Sequence, residues 1–147
     1  MTTTSTSSSS ALPAAAAPVV RTGVAGRLFR AVVSAHTVAA FGQPVFAGVF
    51  LSGAIGGLAW HARGADLVFS LGLLQTAAGI AASVRMRRLW PGAVSLLVVA
   101  AETVQYMAGL AGALWLHLPL GVTIIAALTV LFVAAWARPL PGGRPHE

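Results

Sequence analysis

The chain has 147 residues, 57% hydrophobic and only 8% charged, where soluble domains carry about 25% charge. That excludes an ordinary water-soluble globule and points to one compact membrane unit, while the lack of cysteine excludes disulfides, iron–sulfur clusters and thiolate zinc sites. The net charge of +6 sits on arginines that punctuate apolar runs rather than forming a stripe, so it reads as membrane topology and not as a nucleic-acid footprint.

In chain order, residues 1–23 are Ser/Thr-rich and then Ala/Pro-rich. They lack the apolar side chains of a core and read as a disordered cytoplasmic tail. No positive n-region precedes the alanines, which argues against a signal peptide. Residues 24–138 carry four apolar segments, and 139–147 read as a second cytoplasmic tail. The predicted helices run over about 28–58, 65–85, 92–114 and 117–137, each near the roughly 20 residues that span a bilayer. Gln43-Pro44 is the natural kink in the first. Short connections make consecutive helices antiparallel. The expected fold is an all-α, up-down, four-helix integral membrane bundle.

Orientation follows from arginine. Arg21, Arg27, Arg30, Arg85, Arg87, Arg88, Arg138 and Arg144 lie on one side and only Arg63 on the other. The positive-inside rule then puts both termini in the cytoplasm and the protein in the plasma membrane. Trp60 and Trp115 fall at the outer boundary, and Trp90 and Trp136 at the inner one, as an aromatic belt requires.

No GxxxxGK[ST], HExxH or GxSxG pattern occurs. The informative residues are the polar ones in apolar surroundings, because each is costly in hydrocarbon. Val98, Glu102, Gln105, Gly109 and Gly112 recur at spacings 4, 3, 4, 3 and form one helical seam. Ala65, Val68, Gly72, Gln75, Gly79 and Ala82 form another below His61. His36, Ala40, Gln43 and Ala47 share a face of the first helix. The three seams are expected to face one interior, with His61 and His117 at its outer mouth. Glu102 falls near the midplane, where Gln105, Gln75 or Gln43 would be its partners; it reads as a proton-relay carboxyl, a tuning group or interhelical glue. His36, counted as two turns inside the inner boundary, should hydrogen-bond internally to a backbone carbonyl or to Ser34. The glycines serve close helix packing or clear space for a flat ligand.

Two histidines level with each other on diagonal helices can clamp a haem, since neutral imidazole is a standard iron ligand. Pro119, near the start of the fourth helix, would fix the backbone after His117. The stretch ETVQYMAGLAGALWLHLPLGVTIIAAL, Glu102 to Leu128, resembles a segment of the haem A synthase family. Members are built from two similar four-helix halves, each with a histidine pair on its second and fourth helices. The resemblance implies that His61 and His117 are such a pair and that Gln105 and Gly109 are the family's Gln-x-x-x-Gly element. Only one half is present, and Leu58 stands where the family's reactive half has a carboxylate. The implied function is a cytochrome-like protein binding one b-type haem through His61 and His117, with Gln75, Glu102, Gln105 and Gly109 lining the site, rather than an oxidising enzyme. A homodimer would rebuild eight helices. The alternatives are a cofactor-free subunit of a membrane complex and a small carrier using Glu102.

Overall fold

A computed structural model describes residues 22–140 as four helices, with no strand among them: α1 (Val24–Leu51), α2 (Gly56–Met86), α3 (Trp90–Leu110) and α4 (Leu114–Ala137). All four are long and apolar enough to cross a membrane. The expected N-terminal tail lies almost wholly outside the described residues. Leu140, assigned from sequence to the second tail, instead belongs to the core: it is buried against Phe29 and Val33, and its carbonyl accepts the Gly23 N–H at 3.1 Å. Gly26 permits this approach, since a Cβ there would stand 2.7 Å from Leu140 Cβ.

The first reversal differs from the expected one. α1 stops at Leu51, not near 58, and the chain turns through residues 52–55. Gly53 takes φ +94°, a conformation that costs glycine little and other residues much, and Ser52 Oγ donates to the Gly48 carbonyl at 2.7 Å. α2 therefore begins at Gly56 and absorbs the polar run that resembled a loop. Its charges sit on exposed helix faces: the Arg63 guanidinium lies 5.7 Å over Trp60, and Asp66 accepts from the Tyr106 hydroxyl at 2.8 Å. α2 ends at Arg87, in the left-handed region at φ 53°, and Pro91 occupies the second position of α3. α4 likewise starts early, at Leu114. Pro119 is therefore inside the helix rather than in its first turn, and its missing N–H denies Trp115 the usual i−4 donor.

The helices close into a ring in which α1 packs on α2 and α4, and α3 packs on α2 and α4. α1 and α3 are thus one diagonal, α2 and α4 the other. Phe29 near the start of α1 meets Trp90 at the start of α3 edge-on, with centroids 6.0 Å apart. Arg30 reaches the end of α4, donating from Nε to the Ala135 carbonyl at 2.8 Å and from Nη2 to the Arg138 carbonyl at 2.9 Å. Inside that end is a cluster of Phe29, Val32, Val33, Ala78, Ala82, Leu131, Ala135 and Leu140. Outward-facing residues are apolar as well, among them Val38, Val45, Leu74, Leu97, Val104, Val122 and Val130. In water such a surface would aggregate; against lipid tails it is matched.

Candidate functional site

Each diagonal carries one histidine contact, at a different level. The deeper one joins α1 to α3. His36 Nε2 lies 2.7 Å from Glu102 Oε1, and both side chains are almost wholly buried. On its other side His36 Nδ1 meets Gln75 Oε1 of α2 at 3.0 Å. With that oxygen accepting, Nδ1 carries a hydrogen, and one further proton lies between Nε2 and Oε1. The trio is then net neutral, which avoids the cost of a lone charge in hydrocarbon. Gly72 makes it possible, because a Cβ there would collide with Glu102 Oε2. The sequence placed His36 and Glu102 at different depths and gave them other partners. The structure corrects both: Ser34 donates to the Arg30 carbonyl and accepts from Trp136 Nε1, and Glu102 turns to His36.

The second contact joins α2 to α4. The rings of His61 and His117 pack edge-on, with centroids 6.0 Å apart and planes at 76°. His61 Nδ1 is 3.2 Å from the Gln43 carbonyl oxygen, and His117 Nδ1 is 3.0 Å from that of Gln105. A carbonyl only accepts, so each Nδ1 carries the hydrogen and each Nε2 keeps its lone pair. Histidine ligands are ordinarily fixed in this way, by giving the other N–H to a carbonyl or carboxylate. The α2 boundary also alters His61's setting: it is the sixth residue of a helix rather than a residue of a loop, level with Gln43 on α1.

Between the two contacts lies a half-open cavity of about 90 Å³. Gln43, His61, Glu102, Gln105, Tyr106 and His117 give it polarity, and Ala40, Ala65, Val68, Gly121 and Ile124 give it small or apolar walls. Gln43 Oε1, Gln105 Oε1 and Glu102 Oε2 are buried without a hydrogen-bond partner among the described residues, as is Gln75 Nε2. The glycines fit protein against protein. A Cβ at Gly109 would stand 2.9 Å from His117 Cε1, one at Gly121 2.8 Å from Gln105 Nε2, and one at Gly79 2.7 Å from the Pro91 carbonyl. Space at Gly72 and Gly109 is thus filled by Glu102 and His117 themselves.

Of the residues singled out from sequence, His61, His117, Gln105 and Glu102 line one cavity, Gln75 anchors its floor through His36, and Gly109 backs His117. Tyr106 was overlooked; its place one residue after Gln105, beside the seam, was the available signal. Among the described residues no three His, Asp or Glu side chains gather as a metal site. No family model matches the sequence, no curated protein matches it, and no solved structure matches its fold.

Proposed function

We propose that the chain is a plasma-membrane protein whose helices alternate up and down, with both termini cytoplasmic, and that it binds one b-type haem between His61 and His117 for electron transfer or haem handling. The arginine asymmetry supports the orientation. The observation that carries the haem assignment is the adjacent pair of imidazoles on opposite helices, centroids 6.0 Å apart, each with Nδ1 tied to a carbonyl. His61 and His117 would be the residues that hold the haem, since neutral imidazole is a standard ligand of haem iron and the porphyrin supplies the remaining nitrogens. When bound, haem supplies an iron that gains and loses one electron.

The chain's own contribution is positional. Gln43 and Gln105 hold the two imidazoles in the tautomer that ligates. Ala65 keeps one wall thin, Gly121 makes room for the Gln105 amide, and Val68, Ile124 and Ile125 line the flanks with apolar surface. A cavity of 90 Å³ is smaller than the roughly 300 Å³ at which small-molecule sites begin. A bound haem would need the lining side chains Phe69, Tyr106 and Ile125 to move outward. The likeness of Glu102–Leu128 to the haem A synthase family supports the same assignment.

The test is the visible absorption spectrum of protein purified from a haem-replete host. A Soret band is expected, lost in His61→Ala and in His117→Ala and retained in His36→Gln. A colourless wild-type protein that takes up no added haem overturns the assignment.

A further inference from the structure

The trio at the cavity floor is more polar than glue requires. A serine or threonine hydroxyl bonded to a backbone carbonyl, as at Thr37, satisfies itself within its own helix. His36 and Glu102 instead place a titratable pair in the interior, with Glu102 in the wall of a mostly apolar cavity. Three oxygens around or beneath that cavity have no partner among the described residues, and buried polar atoms left bare are costly. A water molecule takes about 30 Å³ of liquid and needs two to four polar partners. The cavity exceeds the roughly 10–15 Å³ of open space that one water needs, and the carboxamide oxygens of Gln43 and Gln105, with Glu102 Oε2, lie buried beside it as acceptors.

Toward the Trp60 and Trp115 end the cavity is bounded by two imidazoles and half-buried amides. Toward the Trp90 and Trp136 end the interior closes on Phe29, Val33, Ala82, Leu131 and Ala135, beside the buried Ser83 and Ser95, whose hydroxyls are bonded within the α2–α3 packing. The cavity that borders Glu102 is lined by both histidines, and no residue of the far cluster lines it.

We propose that the His36–Glu102 pair is a proton-exchange site, fed by a short water chain that opens only at the His61–His117 mouth. In the exchange, the proton held between His36 Nε2 and Glu102 Oε1 passes as a carboxyl proton to cavity water, leaving carboxylate, and a proton from the mouth restores it. Gln75 holds the imidazole so that only Nε2 takes part. The other titratable groups facing the pair across the cavity are His61 of α2, Tyr106 of α3 and His117 of α4; no arginine lines it. This site stands on the cavity and its floor and requires no haem.

The experiment is infrared difference spectroscopy of the full-length protein in oriented proteoliposomes, stepping pH on one side at a time. A carboxyl band is expected that shifts in heavy water, vanishes in Glu102→Gln, and responds to pH at the mouth side alone. Ala65→Leu, which narrows the cavity without touching the pair, should slow that response. His36→Gln, which keeps a hydrogen-bonding partner for Glu102, should shift the band and change its pH response. A band absent from the wild type, indifferent to pH on both sides, or equally responsive from both sides overturns the proposal. A visible spectrum of the same sample separates the two readings: a colourless protein with a responsive carboxyl loses the haem and keeps the proton site, and a haem-loaded protein with a silent carboxyl does the reverse.

Discussion

Around Phe29 the four helices meet mostly on aliphatic and aromatic side chains; the buried Ser95 hydroxyl bonds within its own helix, and at the rim Arg30 bonds the last carbonyls of α4. About two turns along α1 from Phe29, at His36, the interior turns polar, and from there to His61 and His117 it carries histidines, amides, a carboxyl and a cavity. The same ring of helices encloses both regions. Membrane association gains little from apolar burial, because lipid tails are as apolar as leucine. The dry end is therefore held by shape and by its arginine rim. The wet end is held by hydrogen bonds that single substitutions can orphan. Stability and chemistry are thereby assigned to different levels of one bundle.

The sharpest break in that division comes from the pair at the boundary. Glu102→Leu leaves His36 buried without its partner, and losing one member of a buried pair costs about 3–5 kcal/mol. The double variant His36→Leu/Glu102→Leu removes both polar groups and should recover most of that loss. Reversible unfolding in mixed micelles measures both. A double variant no more stable than Glu102→Leu would mean that the pair itself, and not the orphaned polar group, holds the helices together.

A smaller effect tests the dry end. Leu131 is buried against Ala135 and Phe29's cluster. Leu131→Ala opens a cavity there and should cost about 2 kcal/mol, the low end of the aqueous range because the unfolded helices also rest in apolar solvent. The infrared response of Glu102 and any Soret band should be unchanged. A substitution at Leu131 that altered either would couple the two levels and blur the distinction between them.

How much of this was legible in the sequence depended on where counting began. The four apolar runs were visible, and so was much of the seams at spacings of three and four: Gly72, Gln75, Gly79 and Ala82 are buried, as are Val98 and Glu102, but Gly112 lies beyond α3, exposed in the turn at φ +66°. The diagonal relation of His61 and His117 followed from short connections. The pairing of His36 with Glu102 did not. From the apolar runs the first helix was expected to start near 28 and the third near 92. Counted from the observed starts, Val24 and Trp90, His36 is the thirteenth residue of α1 and Glu102 the thirteenth of α3, so the two are level. Arginine can lie within a helix turn and still reach the interface, because its long stem carries the charge outward; charge therefore marks the membrane boundary better than the helix end. Polar residues misled again at Trp60–Asp66, where helical hydrogen bonding continues through a stretch with loop-like composition, and the reversal belongs to Gly53.

The smallest effect asks whether the rim of the dry end is held by charge or by shape. Arg30 spans two carbonyls of α4 with a planar guanidinium while lying 5.3 Å over the Trp136 ring. Partly exposed hydrogen bonds of this kind are worth about 1 kcal/mol in all, so Arg30→Ala should lower stability by about that much. Arg30→Lys keeps the positive charge and its favourable position at a helix C-terminus. It loses the fork, since an ammonium is a compact point charge that cannot hold both carbonyl oxygens in one plane. If geometry dominates, lysine should behave nearly like alanine. If the helix dipole dominates, lysine should restore most of the loss, and that restoration should fade with added salt. Either result leaves the histidine mouth untouched, because the dry cluster stands between them.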